Sequence, residues 1–229
     1  MTKNLIHKTG FPALVIMAAV PFLFFSLPKK KTRLFLPDKK GEWHTWLAKS
    51  GKNDPKNVFQ FEDGVLHVSG EDFGYIVTEK KYSNFHFTVE FKWGEKKYPP
   101  REKEKRDGGI LYHIDFYNGD KVWPRSLEYQ VQEGDCGDFW MTDSTTIIYK
   151  DTLTLPQKGL RAIKLKDAEK PNGQWNKAEV IVQNGRITHL LNGEVVNKGA
   201  LGNTRDGYLL LQSEGAELYY RNAEVEVLK

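Results

Sequence analysis

Apolar and polar residues alternate along this chain in short runs with a period of two, the signature of strands with one buried face. The most regular run is Leu127-Glu128-Tyr129-Gln130-Val131-Gln132. Successive side chains of a strand point to opposite faces, so Leu127, Tyr129 and Val131 fall on one side and Glu128, Gln130 and Gln132 on the other. A longer run, residues 85–93, puts Phe85, Phe87, Val89, Phe91 and Trp93 together. Shorter strands are predicted at 58–61 and 65–68 around Glu62-Asp63-Gly64, and at 75–78, 110–116, 194–196, 208–212, 217–221 and 224–228. Residues 179–183 and 186–191 flank Asn184-Gly185, the strongest short-range hairpin signal, and Asn192-Gly193 turns the chain again. No stretch keeps a helical period over a dozen residues. The pattern predicts an all-β domain, a sandwich or jelly roll of antiparallel sheets.

Two segments break the rhythm. Between Glu95 and Asp107, ten of thirteen residues are charged and Pro99-Pro100 sits among them, which predicts a solvated loop leading into a turn at Asp107-Gly108-Gly109. Such a loop is either a flap beside a site or a tolerated surface insertion. At the N-terminus, Lys3, His7 and Lys8 precede an apolar run at 11–27, closed by Pro28-Lys29-Lys30-Lys31. Residues 1–28 read as an export signal, and at 17 apolar residues the run also approaches the length of a membrane span. The expected organisation is a signal peptide or retained membrane anchor at 1–28, a linker at 29–41 and one β-domain at 42–229. The expected location is periplasmic or extracellular.

Composition narrows the function. The 13 Phe, 10 Tyr and 6 Trp supply ample core for a β-domain. A net charge of +4, from 34 basic and 30 acidic residues, gives no electrostatic case for nucleic acid. The single Cys136 excludes an intramolecular disulfide and a cysteine-based zinc site.

The segments Phe61-Glu62-Asp63-Gly64-Val65-Leu66, Tyr82-Ser83-Asn84-Phe85-His86-Phe87, Asp107-Gly108-Gly109-Ile110-Leu111-Tyr112 and Gln174-Trp175-Asn176 add a further signal. With Leu127 to Gln132, Leu191-Asn192-Gly193, Gly207 to Gln212 and Tyr220-Arg221-Asn222, their order and spacing resemble the 3-keto-disaccharide hydrolase domain family over about residues 42–229. The resemblance implies a concanavalin-like β-sandwich in an exported protein acting on sugars oxidised at C3. The chain departs from many members in having Asp107-Gly108-Gly109 then His113, where they carry Asn-Ser-Gly then Arg.

The chemistry can be placed on the strands. If 110–116 and 127–132 are antiparallel neighbours, Ile110, Tyr112 and Ile114 join the core, and His113 and Asp115 share the polar face of Glu128, Gln130 and Gln132. Glu128 and His113 would then be an acid/base pair, with Asp115, Gln130 and Gln132 binding substrate. A C3 ketone acidifies the C2 proton, so proton abstraction, loss of the C1 substituent and hydration would cleave a 3-keto-glycoside. Two glutamines following Glu128 argue against a conventional pair of carboxylates on that strand. His113, Asp115 and Glu128 also form an oxygen-and-imidazole set for a divalent metal, the one cofactor the residues suggest. Trp123 and Trp140 are candidates to stack on sugar rings. Gln212 and Arg221 are further substrate contacts, Arg221 being equally readable as a structural ion-pair residue, and Glu214 as a cation ligand or a solvated acid. The alternative to an enzyme is a non-catalytic carbohydrate-binding module, because the same sandwich serves both.

Overall fold

The computed structural model describes residues 31–34 and 42–229. The apolar run at 11–27, with residues 29, 30 and 35–41 of the expected linker, lies outside the described residues. The domain is a jelly-roll β-sandwich of two sheets in which every strand pairing is antiparallel. The ten-stranded sheet runs in spatial order β11 (Thr152–Leu153), β10 (Ile147–Tyr149), β15 (Glu194–Leu201), β14 (Arg186–Leu191), β13 (Asn176–Gln183), β6 (Phe85–Lys97), β17 (Ala216–Val227), β4 (Val65–Val68) and β3 (Phe59–Glu62). A short β1 (Lys31–Arg33), inside the stretch read as linker, also pairs with β17. The seven-stranded sheet runs β12 (Gly159–Ala162), β9 (Phe139–Thr142), β8 (Arg125–Gln132), β7 (Asp107–Asp115), β16 (Tyr208–Ser213), β5 (Gly74–Thr78) and β2 (Trp43–Leu47).

Hairpins form where the turn residues tolerate positive φ. Asp63 and Gly64 (49° and 78°) join β3 to β4, and Asn184 and Gly185 (51° and 75°) join β13 to β14. The core lies between the sheets. Phe85, Phe87, Val89, Phe91 and Trp93 of β6 meet Leu127, Tyr129 and Val131 of β8 there, all buried. Each such side chain contributes about 1.5–3 kcal/mol by leaving water. Ala216–Val227 form one strand where two are expected, because a register shift between Arg221 and Glu224, with Asn222 at φ 52°, carries β17 across the break. Asp107-Gly108-Gly109 is not a turn. It opens β7, and β6 runs on to Lys97, so the charged loop is shorter than expected.

One irregularity governs the site. Tyr112 pairs with Leu127 but the next partner pair is Asp115 with Arg125, and on the other flank Leu209 faces Tyr112 while Tyr208 faces Ile114. His113 is therefore an extra residue, a β-bulge, at φ 54°. The bulge inverts the alternation of β7. Ile114 leaves the expected core position and joins Tyr75, Val77, Leu111 and Leu210 in a separate apolar cluster on the outer face of the smaller sheet.

Candidate active site

The outer face of the smaller sheet carries Glu128, Gln130 and Gln132 of β8, as alternation requires. In register beside them on β7 is Gly109, opposite Gln130. A Cβ at Gly109 would lie 2.1 Å from Gln212 Oε1 and 2.3 Å from Glu128 Oε1, so only glycine leaves space for these two side chains to close over the strand. Gln212 is 1% exposed, and neither end of its amide has a hydrogen-bond partner. Glu128 is 5% exposed and makes no ion pair among the described residues.

Two more carboxylates converge on this floor. Asp107, at the start of β7, accepts from Gln130 Nε2 at 2.9 Å, from Gln132 Nε2 at 2.6 Å and from the Gly108 amide at 3.0 Å. Glu214, between β16 and β17, accepts from Trp123 Nε1 at 2.6 Å. A single guanidinium serves both. Arg101, reaching in from the charged loop, is ion-paired with Asp107 and lies 3.6 Å from Glu214 Oε2. The cleft above encloses about 800 Å³, within the range of small-molecule sites. Trp123 and Trp140 line it with the three acids, Gln130, Gln132 and Arg101, and Lys121, Asp143 and Lys158 line it further out.

Three buried acids sharing one cation cannot all ionise freely. Burial, then the charges of Glu214 and Asp107, push the Glu128 carboxyl well above its ordinary range, against the pull of Arg101. Burial likewise raises Asp107 to about 6 against Arg101 and its hydrogen-bond donors. Burial and then the charge of Asp107 raise Glu214 to about 7. Near neutral pH the trio holds a neutral Glu128 beside a Glu214 that is partly ionised, an acid and a base in one cleft.

The structure brings together Glu128, Gln130, Gln132, Gln212, Trp123 and Trp140, and separates the other candidates. His113 does not share the face of Glu128, because the bulge turns it against Phe85 and Tyr112, where Nε2–H donates to the Ser83 carbonyl at 3.2 Å. Burial lowers it to about 4, so it is neutral at pH 7. Asp115 is exposed, 3.5 Å from Arg125 Nη1, and does not line the cleft. Arg221 lies on the opposite sheet, 2.7 Å from Glu90 and 3.9 Å above the Trp175 ring. It is a structural ion-pair residue. His113, Asp115 and Glu128 thus do not converge as a metal set, and no group of three or more His, Cys, Asp or Glu suited to a metal occurs among the described residues. Sequence reasoning passed over Arg101 and Asp107 as parts of a loop and a turn. The signal available was a carboxylate followed by two glycines, reached by a loop that places an arginine next to Pro99-Pro100.

A β-sandwich with an acid-floored, tryptophan-walled cleft on one sheet belongs with the carbohydrate-active domains. Residues 32–226 match the model of the 3-keto-alpha-glucoside-1,2-lyase-like domain, and the chain belongs to that family. No curated protein matches it in sequence. Among solved structures it is similar to a candidate glycosyl hydrolase from Parabacteroides distasonis, at 22% identity over 82% of this chain and 89% of that one, with a TM-score of 0.56. A carbohydrate-binding module from Bacillus subtilis aligns at 12% identity over 81% and 95% of the two chains, TM-score 0.56. A β-glucanase from Bacillus licheniformis aligns at 8% identity over 88% and 98%, TM-score 0.53. At these identities the shared property is the fold.

Proposed function

We propose that the domain cleaves the glycosidic bond of 3-keto-glycosides or 3-keto-disaccharides by elimination across C1 and C2, followed by hydration. The observation that carries this reading is Glu128, a buried carboxyl without an ion-pair partner among the described residues, held beside Glu214 and Asp107 at the floor of the cleft. The C3 ketone acidifies C2–H, and the Glu214 carboxylate, oriented by Trp123 Nε1–H, takes that proton. The electron pair passes to the C3 oxygen as an enolate, stabilised by the donors that line the cleft. As the enolate collapses, the C1–O bond breaks and the neutral Glu128 protonates the departing oxygen. The products of this half are the free aglycone and a C1–C2 unsaturated 3-keto sugar. Water then adds its hydroxyl to C1, a proton from Glu214 returns to C2, and the water's second proton restores Glu128. Trp123 and Trp140 stack on the sugar rings.

The family's lyase description supports the elimination half. A second reading, direct displacement by water between two carboxylates, gains support from the convergence of Asp107 on β7, Glu128 on β8 and Glu214 from the turn after β16, although the two glutamines on β8 argue against it. An aryl 3-keto-glucoside, protonated or deuterated at C2, decides between them. Elimination gives release of 3-keto-glucose with a primary isotope effect, whereas displacement gives release with none. Absence of release, with or without added divalent metal, together with binding of the unoxidised glucoside, would identify a carbohydrate-binding module instead.

For an exported enzyme the substrate would be met outside the cytoplasm. The apolar run at 11–27 supports export, either as a cleaved signal or as a retained anchor.

A further inference from the structure

The strap between β6 and β7 is sutured to the sandwich and delivers one side chain to the acids. Tyr98 N–H donates to the Gly215 carbonyl at 2.7 Å, next to Glu214. At the other end Arg106 Nε donates to the Gly94 carbonyl at 3.1 Å, and Arg106 is 3.3 Å from Glu133. Lys105 pairs with Asp135 at 2.8 Å. Between these points Arg101 turns inward, its Nε held by Glu104 at 2.9 Å and its two terminal nitrogens directed at Asp107 and Glu214. Gly215, at φ 86°, makes the approach feasible: a Cβ there would stand 3.2 Å from Arg101 Cβ.

We propose that Arg101 is a positioning residue of the active site, the strap-borne counter-ion that fixes Glu214 and Asp107 in place and sets how many protons the three acids share. This rests on the functional reading above. The charged and titratable groups facing the trio are few. They are Arg101 with Glu104 behind it, the Tyr112 and Tyr220 phenols beneath the sheet, and Lys121, Lys158 and Asp143 across the cleft. Lys121 is committed to Asp143 and, among the described residues, Lys158 makes no ion pair with the trio, so Arg101 is the cation held against Asp107 and Glu214. Without it, the buried acids keep their protons to higher pH, and the base that must accept the C2 proton is lost at neutrality. An arginine suits the task because its planar fork presents two terminal nitrogens in fixed geometry, one to each carboxylate, where an ammonium is a single point charge.

The test is Arg101→Ala in the full chain, with Lys103→Ala on the exposed part of the strap as control. The expected result is a fall of kcat by about a hundredfold, within the usual range for general acid–base groups. The rising limb of the pH–rate profile should also shift to higher pH, with partial rescue by added guanidinium ion. Arg101→Lys should recover only part of the loss, and Lys103→Ala should match the parent. A fall in kcat with an unmoved pH profile and no rescue would reduce Arg101 to a packing role and overturn the proposal. A second readout does not depend on turnover: the carboxyl titration of 13C-labelled Asp and Glu side chains. An upward displacement of the cluster in Arg101→Ala supports the proposal even where 3-keto-glycosides prove not to be substrates. Identical titration in both proteins overturns it.

Discussion

The two sheets treat glutamate in opposite ways. On the larger sheet, Glu179 and Glu90 each sit against hydrogen-bond donors and a cation at close range. Glu179 accepts from His86 at 2.8 Å and lies 2.9 Å from Lys177, and the His86 hydrogen bond, aided by Lys177 against burial, lowers it to about 2. Burial works against Glu90, but hydrogen bonds from Arg221 and Asn222 outweigh it and lower that carboxyl as well. On the outer face of the smaller sheet three acids share one guanidinium, and all are raised. By exposure Glu179 at 7% and Glu128 at 5% are alike, but desolvation is the largest influence on the three raised acids, whereas on the larger sheet hydrogen bonds and counter-charges outweigh it. The difference is the ratio of acids to cations. One-to-one pairing makes a carboxylate structural, and crowding around one cation makes it a proton carrier.

The largest effect expected from this contrast is on turnover. Glu128→Gln should lower kcat for a 3-keto-glycoside by about 10²–10⁴-fold without unfolding the domain, read by product release and circular dichroism. In the parent protein, the rate should rise as pH passes through about 7, where Glu214 ionises, and fall only at a pH where Glu128 loses its proton. An unchanged rate in Glu128→Gln would remove Glu128 from the chemistry. Next in size is a gain in stability. Glu214 has a folded pKa raised above its ordinary value, so its favourable contribution is full at acid pH and is lost as pH rises from about 4.5 to about 7. Glu214→Gln should therefore melt higher than the parent at pH 8, by about 1–3 kcal/mol in stability, and equally at pH 4, while losing activity.

The larger sheet predicts the reverse sign. The depressed pKa of Glu179 gives stability that is present above about pH 4.5 and lost as pH falls towards about 2. Glu179→Gln should cost about 1–2 kcal/mol at pH 7 by denaturant unfolding, shrinking in acid, with turnover untouched. Smallest of all, Arg221→Lys should cost about 0.5 kcal/mol, because its pair with Glu90 is half exposed, and should leave kcat/KM unchanged. A large loss of activity in Arg221→Lys would break the separation of the two faces.

Much of this frame was legible in the chain. The Asn-Gly turns fixed hairpins, and the alternation of Leu127 to Gln132 assigned the polar face of β8 correctly, because local rules of period and turn suffice where a strand is regular. They fail where a strand is not. The extra residue at His113 leaves no mark on a two-residue pattern, so His113 and Ile114 were assigned to the wrong faces. The short strands β9 to β12 have too few residues to show a period. Arg101 meets Asp107 from a neighbouring loop whose course no two-residue period predicts, and Glu214 joins them from the turn after β16, distant in sequence. Even the glutamines changed meaning: Gln130 and Gln132 hold Asp107 as well as lining the cleft.

The bulge at His113 gives β7 two phases in a single strand. Before it, Gly109 and Leu111 face outward; after it, Ile114 does. Leu111, before the bulge, and Ile114, after it, belong to one apolar cluster, so the inward-turned extra residue keeps both in a common covering of the sheet. In evolutionary terms, an insertion absorbed as a bulge leaves the outward pattern on either side of it unchanged, so β7 tolerates a change of length that a regular strand would not.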